Sequence, residues 1–202
     1  MTSPQRYEVS IVLPFGDDED VIGDAVKRLA AHVRGLGLPF EIVAVDEDSG
    51  DNSHAVLALL RGQVPEIRVM HAPVRGRGAD TGVARAQGRI LWVVQPGAAM
   101  AALGAFEAAF QQVSSEQVDA VVARGRFTVA HRVRVLAALD GVRGTGDSLH
   151  RRLARRLAGR GLRVDVQELT PRAPSTVGPR PRPLSRLIFS LAARRSTSAK
   201  RA

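Results

Sequence analysis

The sequence predicts an α/β fold: a mostly parallel β-sheet with helices on both faces. Short apolar runs alternate with helical patterns from Val9 to Ala123, which is typical of such a sheet. The first, second and fourth runs are almost continuously apolar, as expected for parallel strands covered on both sides. The 202 residues, 45% of them hydrophobic and 24% charged, are enough for one sizeable core.

The predicted elements follow one another closely. The first strand, Val9–Pro14, precedes an acidic cluster that suits the positive N-terminus of a helix. That helix has apolar residues at three- and four-residue spacing and ends at Gly35. Next come a strand over 40–45, a helix over 53–61, a strand over 67–70, a helix ending at 87, a strand over 89–95, a helix over 98–112 and a strand over 118–123. Further elements are a helix over 129–139, a glycine-containing loop, an Arg-rich helix over 147–160 and a strand over 162–166.

Residues 1–170 are predicted to form one domain, and residues 171–202 a basic linker and tail. From Pro171 onward there are eight Lys or Arg and no acid, and Leu184 to Arg195 fits a short amphipathic helix. Such a tail indicates an anionic partner, a membrane surface or nucleic acid, or simply a solvated basic end. Aromatic residues make up only 4% of the chain, so stacking platforms are scarce and no specific nucleic acid is expected.

Several protein classes do not fit. The chain has no Cys, hence no disulfide framework or thiolate metal site. It has no apolar run of about 18 residues and no secretory signal, so a cytoplasmic location is expected, with peripheral attachment to the inner face of the membrane left open. Neither a GxxxxGK[ST] loop nor a GxSxG elbow is present, and the five His show no metal-ligand spacing.

An acidic cluster follows the second strand. Asp46, Glu47, Asp48 and Asp51 lie within six residues, although like charges at close range repel one another. A site that needs hydrogen-bond acceptors or a cation explains the crowding. A helix cap followed by a solvated turn is the alternative, and it would use only one or two of the acids.

A basic glycine loop, Arg75-Gly76-Arg77-Gly78, precedes the third helix. Two guanidinium groups at the start of a helix make a reasonable phosphate-binding site. The glycines do not fit the dinucleotide-binding fingerprint, and a flexible exposed turn is the alternative.

The fourth strand ends in Gln95-Pro96-Gly97. Ligands of open α/β sheets bind at the carboxyl ends of strands, so this segment is a candidate for ligand contact. Pro followed by Gly also fits the central pair of a type II turn leading into the next helix.

These motifs occur in the order that is typical of one family. Residues 14–19 (PFGDDE), 45–51 (VDEDSGD) and 75–78 (RGRG) resemble the P-x-Y-N-E-like, V-D-D-G-S-x-D and G-K-G-like motifs of the family 2 glycosyltransferases. Residues 147–169 resemble the end of the catalytic domain in polyprenyl-phosphate (dolichyl-phosphate type) members. The resemblance implies a GT-A fold with a Rossmann-like half that binds a nucleoside-diphosphate sugar. The C-terminal half is expected to be truncated, because the region between Val118 and Asp147 is short.

The resemblance also implies roles for individual residues. Asp46 would accept a hydrogen bond from the base, Asp48 would lie near the ribose, and Asp147 is the candidate catalytic base. The nucleotide-sugar site implied by the resemblance comprises Pro14, Phe15, Asp18, Asp46, Asp48, Arg75, Arg77, Gly78 and Gln95. The acceptor would be a polyprenyl phosphate or another lipid.

The main departure from the family pattern lies at the motif that binds the cation. Gln95-Pro96-Gly97 occupies the D-x-D position, whose acids hold Mg²⁺ or Mn²⁺ in the family, and it supplies at most one neutral side-chain oxygen. Glu47 or Asp48, at the end of the second strand, could supply an oxygen ligand instead. We therefore expect donor binding with sugar transfer weakened or lost, since the arginines offset only part of the missing charge. Two alternatives are a non-catalytic scaffold or regulator at an anionic membrane surface and an electrostatic nucleic-acid binder.

Overall fold

A computed structural model describes residues 6–167, which form a seven-stranded sheet flanked by helices. The strands are β1 (Val9–Phe15), β2 (Phe40–Asp46), β3 (Ile67–His71), β4 (Ile90–Val94), β5 (Ala120–Ala123), β6 (Phe127–His131) and β7 (Val164–Gln167). The helices are α1 (Glu19–Gly35), α2 (Ser53–Leu60), α3 (Gly78–Arg85), α4 (Ala99–Ser114), α5 (Arg132–Leu139) and α6 (Gly146–Ala158). A short 3-10 turn, Pro96–Ala98, precedes α4.

The strand order is β3-β2-β1-β4-β6-β5-β7. β1 pairs in parallel with β2 and β4, β2 with β3, and β5 with β7, whereas β6 is antiparallel to both of its neighbours. The prediction of a mostly parallel sheet is confirmed. The chain proceeds from β1 outward to β3 and then returns to β4 on the other side of β1, so a crevice opens at the carboxyl ends of β1 and β4.

The two faces of the sheet bury separate apolar clusters. Alternate residues of β1, including Ile11 and Leu13, pack with α1, α2 and α4 on one face. Val12 points to the other face, where it packs with apolar residues of α3, α5 and α6. This alternation follows from the two-residue period of a strand, and it confirms the prediction of helices on both faces.

The predicted helix over 129–139 is wrong at its start. Residues Phe127–His131 form β6, and the helix begins only at Arg132. Phe127, Thr128 and Val129 are aromatic or β-branched residues, which favour strands, and they fill the gap between β4 and β5. Gly125, with φ +73°, makes the tight connection from β5.

The predicted type II turn at Pro96-Gly97 is also wrong. Such a turn requires a positive φ at Gly97, and Gly97 is not among the residues with positive φ. Instead, Pro96 begins a 3-10 turn in which the Ala98 N–H donates to the Gln95 carbonyl oxygen at 3.0 Å. Proline suits the first position of a helical segment, so the chain enters α4 directly.

The described residues all lie within one compact unit. The predicted tail, 171–202, with its amphipathic segment 184–195, lies outside them. Between residues 6 and 167, no helix combines the length and the apolar character needed to cross a membrane.

Candidate functional site

The candidate site is the edge of the sheet where β1, β2 and β4 end side by side. Phe15, the last residue of β1, is in register with Asp46, the last residue of β2. Pro14 precedes Phe15 in β1, and Gln95 follows directly after β4. The topology therefore brings three of the predicted site motifs to one edge.

Asp46 is buried, with 5% of its surface exposed. Its Oδ1 accepts a hydrogen bond from the Ser49 N–H at 2.9 Å, and its Oδ2 lies 3.5 Å from Nδ1 of His71. The His71 ring stacks on that of His54, with the centroids 5.3 Å apart. Sequence reasoning missed this imidazole pair, because His54 belongs to α2 and His71 ends β3, and only the sheet order brings them together.

The acidic residues near Asp46 have different roles. Asp51 accepts hydrogen bonds from the Glu19 N–H at 2.8 Å and the Ser53 N–H at 2.9 Å, at the first residues of α1 and α2. Asp18 accepts one from the Gly16 N–H at 3.0 Å. The capping alternative therefore explains Asp51, and Asp18 is engaged with its own loop.

Asp48 is the exception in the cluster. Its side chain is exposed, its backbone is left-handed at φ 66°, and its carboxylate has no hydrogen-bond partner within residues 6–167. Glycine favours this conformation, and among other residues it is found mainly for Asn and Asp. The family pattern has glycine at this position, which the left-handed backbone explains. The backbone conformation does not explain why this chain carries a carboxylate there.

Glu47 connects the second strand to the basic glycine loop. It is 4% exposed, and its Oε1 accepts a hydrogen bond from the Gly78 N–H at 2.6 Å. Burial raises the pKa of the Glu47 carboxyl, although the N–H groups of Gly78 and Gly76 and the charge of Arg75 favour the ionised form. Sequence reasoning counted Glu47 in the acidic cluster and left it open as a substitute oxygen ligand, but it did not predict the hydrogen bond to Gly78.

The close approach of Glu47 to the backbone at position 78 requires a glycine there. A Cβ atom at Gly78 would lie 2.6 Å from Oε1 of Glu47 and 2.9 Å from Cβ of Pro14. Real Cβ atoms do not make such contacts without a shift of their neighbours. The absence of a side chain at Gly78 thus lets the N-terminus of α3 sit directly against the carboxyl ends of β1 and β2.

The two arginines of the basic loop differ. Arg77 forms an ion pair with Asp80, with Nε 3.0 Å from Oδ2, and Asp80 in turn accepts a hydrogen bond from the Gly141 N–H at 2.9 Å. Arg75 is exposed and has no hydrogen-bond or ion-pair partner within residues 6–167. Its Nη2 would lie 4.0 Å from a Cβ atom placed on Gly16, so its charge is available beside the end of β1.

The glycine loop, residues 141–146, closes the other side of the site. Its Gly144 N–H donates to the Gly76 carbonyl oxygen at 2.9 Å. A Cβ atom on Gly146 would lie 3.9 Å from Oε1 of Gln95, and one on Gly125 would lie 2.8 Å from Oδ1 of Asp147. The structure therefore brings Asp147 to the same edge as Gln95, and its Oδ2 pairs with Nη2 of Arg151 at 3.0 Å.

A divalent cation of the kind implied by the resemblance does not fit the residues present. Among residues 6–167, no three His, Asp or Glu side chains are grouped so that they could hold a metal ion. At the D-x-D position, Gln95 offers one neutral oxygen, and Pro96 and Gly97 offer no side-chain ligand. Mg²⁺ and Mn²⁺ prefer several hard oxygen ligands, which this segment lacks.

The sequence matches one family model. Residues 10–96 match Glycosyl transferase family 2. These residues include the acidic cluster, the basic glycine loop and Gln95, so the resemblance to family 2 glycosyltransferases over this part of the chain is confirmed, whereas the resemblance of residues 147–169 to polyprenyl-phosphate members stays a prediction. No curated protein matches the sequence significantly.

Solved structures share the fold at low sequence identity. The mannosyltransferase PcManGT of Pyrobaculum calidifontis, in complex with GDP-Man and Mn²⁺, is 16% identical with a TM-score of 0.65 over 81% of this chain and 55% of its own. Glucosyl-3-phosphoglycerate synthase of Mycobacterium tuberculosis is 18% identical, with a TM-score of 0.64 over 93% of this chain and 80% of its own. TarS 1–349 of S. aureus, in complex with UDP, is 13% identical, with a TM-score of 0.55 over 80% of this chain and 58% of its own. The predicted GT-A fold is confirmed, and the chain spans little more than half the length of the first and third of these proteins.

Proposed function

Starting from the match of residues 10–96 to glycosyl transferase family 2, we propose that this protein binds a nucleoside-diphosphate sugar and that its sugar transfer is weakened or lost. One observation carries the proposal. At the ends of β1, β2 and β4 lie a buried acceptor, Asp46, and two charged groups, the carboxylate of Asp48 and the guanidinium of Arg75, which have no hydrogen-bond or ion-pair partner among the described residues. These are the groups that a base, a ribose and a diphosphate require.

The acids suit the nucleoside. A carboxylate oxygen has two lone pairs, so Asp46 can accept from a base N–H while it keeps its bond from Ser49. Burial strengthens such a bond because water does not compete for it. Asp48, without a partner of its own among the described residues, can accept from the ribose hydroxyls.

Arg75 suits the diphosphate. A charged hydrogen bond contributes about 1.5–3 kcal/mol, and an arginine can present two donors to one phosphate. Arg77 is held by Asp80, so one arginine rather than two compensates for the missing cation. Structures with GDP-Man for PcManGT and with UDP or UDP-GlcNAc for TarS support the ligand class.

The residues of the site suit donor binding better than catalysis. In sugar transfer from a diphosphate the leaving group needs several kcal/mol of charge stabilisation, which a cation can supply. Gln95 replaces that charge with one neutral amide. Asp147 could still take a proton from an acceptor hydroxyl, since it is exposed and lies at the same edge as Gln95. The expected result is donor binding with slow transfer or none.

Isothermal titration calorimetry with UDP- and GDP-sugars tests donor binding. We expect wild type to bind at least one donor, Asp46→Ala to lose binding, and Arg75→Ala to weaken it by roughly tenfold or more. Arg61→Ala is the matched control for Arg75→Ala, because both arginines are exposed, and Asp24→Ala removes an aspartate charge away from the site. Thermal unfolding of each variant shows whether it is folded. Failure of every donor to bind, or unchanged affinity in Asp46→Ala, would contradict the proposal.

Docking at an anionic membrane remains a separate prediction. It depends on the segment 184–195, which lies outside the described residues, and on its basic and apolar composition. A regulator at the membrane surface, or an enzyme with a lipid acceptor, would need this segment. Flotation with anionic vesicles, comparing the full chain with one ending at residue 170, measures its contribution.

A further inference from the structure

A cavity of about 450 Å³ lies between the glycine loop and α6. We call it the arginine cleft. Its lining residues are Gly141, Val142, Arg143, Arg152, Arg155 and Arg156. None of these residues is among those assigned above to contact the nucleotide sugar, although Gly141, Val142 and Arg143 belong to the glycine loop that borders that site.

The fold forces three of the arginines onto one surface. Helix α6 buries Leu149, Leu153 and Leu157 against the sheet, so its opposite face is exposed. Arg152, Arg155 and Arg156 lie on that exposed face at spacings of three and four residues. Like charges at these spacings destabilise a helix, so the arrangement opposes helix stability.

The fourth arginine comes from the glycine loop. Arg143 lies across from α6, and Nη1 of Arg152 donates a hydrogen bond to its carbonyl oxygen at 3.0 Å. This bond holds one guanidinium against the loop. The backbone of the glycine loop is itself held in place, because the Gly141 N–H donates to Asp80 and the Gly144 N–H donates to the carbonyl oxygen of Gly76.

The charges of the cleft are not compensated within residues 6–167. No ion pair joins any of its four arginines to a carboxylate there, whereas the adjacent Arg151 is paired with Asp147 at 3.0 Å. Arg155 and Arg156 lie in the last turn of α6, where a positive charge is favourable. That effect explains neither Arg143, on the loop, nor Arg152, in the middle of the helix.

We propose that the arginine cleft is a binding site for an anion carrying two or more phosphate groups. Guanidinium groups bind phosphate oxygens through paired N–H donors, and four of them match a ligand with several negative charges. The cavity falls within the roughly 300–1,000 Å³ typical of small-molecule sites. The proposal uses neither Asp46 nor Arg75, so it does not depend on the proposed function.

Inorganic pyrophosphate is the probe, titrated by calorimetry into the full chain at low salt. The titration uses the Arg75→Ala background, so that the basic loop of the nucleotide site does not contribute. We expect Arg152→Ala/Arg155→Ala to weaken pyrophosphate binding by roughly tenfold or more. The matched control, Arg61→Ala/Arg160→Ala, removes the same charge from exposed arginines that do not line the cleft, and its affinity should stay within about twofold.

Two results would overturn the site: no pyrophosphate binding in the background variant, or equal weakening in both double variants, which would indicate only general charge. Vesicles of phosphatidylcholine and cardiolipin, a lipid whose headgroup carries two phosphates, identify the source of the phosphate. Vesicle binding that is lost in the cleft variant and displaced by pyrophosphate assigns a lipid headgroup; pyrophosphate binding alone assigns a soluble phosphate ester. UDP binding in Arg152→Ala/Arg155→Ala with Arg75 intact should equal that of wild type, which separates failure of the cleft from failure of the nucleotide site.

Discussion

Asp48 combines a backbone conformation that favours glycine with a carboxylate that has no partner among the described residues. A non-glycine residue in the left-handed region costs of order 1–3 kcal/mol, and such strain is often found at functional sites. The neighbouring acids, Asp46 and Asp51, accept backbone hydrogen bonds that hold their loops. At the scale of single residues, the acidic cluster is therefore partly structural, and Asp48 is the member best explained by a ligand.

Asp48→Gly should separate stability from binding. Relief of the left-handed strain is expected to raise the unfolding free energy by about 1 kcal/mol, whereas loss of the carboxylate is expected to weaken donor binding. Denaturant unfolding and calorimetry measure the two effects. Glu116→Gly is the control, since Glu116 has a φ of 62° and lies outside the site. If Asp48→Gly binds the donor as tightly as wild type, Asp48 has no role at the ribose.

Gly78→Ala should destabilise the protein by about 1–3 kcal/mol, the usual cost of overpacking. The added methyl would collide with Glu47 and Pro14, so we also expect weaker donor binding as the basic loop moves away from the strand ends. Gly62→Ala is the control, because a Cβ atom there meets nothing within 4 Å. Equal stability of the two variants would show that the loop adapts without cost.

At the scale of elements, the antiparallel strand β6 positions the base candidate. The turn between β5 and β6 brings Gly125 against Asp147 at the start of α6. The same strand contacts α6 a second time, where Oγ1 of Thr128 lies 3.0 Å from Nδ1 of the buried His150. The hairpin of β5 and β6 and helix α6 therefore act together in placing Asp147 beside Gln95.

Gly125→Ala tests the first contact. Gly125 and Gly161 have nearly equal left-handed φ values, +73° and +72°, but a Cβ atom on Gly161 meets nothing within 4 Å. Both alanine variants should lose about 1–2 kcal/mol for the backbone conformation. Gly125→Ala should lose more, because its methyl displaces Asp147. Chemical denaturation compares them, and equal losses would rule out the close approach.

His150 makes α6 sensitive to acid. Burial lowers the pKa of His150 from 6.5 to about 4, so between these pH values the unfolded chain takes up a proton that the folded chain does not. The unfolding free energy should therefore fall by about 3 kcal/mol as the pH falls from 6.5 to 4. His150→Gln lacks this titration and should show a correspondingly smaller fall. Parallel pH profiles of the two proteins would contradict the assignment.

At the scale of the whole molecule, one edge of the sheet collects every predicted site motif, and the arginine cleft lies beside it. The basic loop and the glycine loop are linked by a backbone hydrogen bond from the Gly144 N–H to the Gly76 carbonyl oxygen, and Arg152 of α6 bonds to the carbonyl oxygen of Arg143 in the glycine loop. Such bonds hold positions firmly because a buried, unpaired backbone group is costly. This arrangement supports the proposal that the site binds anions without a carboxylate-held cation.

Metal dependence tests this property of the whole site. Donor affinity of wild type should be unchanged by Mn²⁺ or by a chelator, because the segment 95–97 lacks carboxylates. Gln95→Asp/Gly97→Asp restores the D-x-D pattern at a half-buried and an exposed position, and its donor binding should become stronger with Mn²⁺. Calorimetry with and without the metal measures both. Mn²⁺-dependent binding by wild type would show that other oxygen ligands hold the cation.

The sequence by itself determined the α/β class, the approximate bounds of β1 to β4 and their helices, and the family resemblance. These features depend on local periodicity and on motifs of a few residues, which can be recognised without knowing the tertiary contacts. Only the tertiary structure decided that Phe127–His131 is a strand and that Glu47 supports Gly78. It also decided that Arg77 is held by Asp80, while Arg75 has no hydrogen-bond or ion-pair partner among the described residues. Each of these depends on a neighbour distant in the sequence, and local propensity carries no information about such a neighbour.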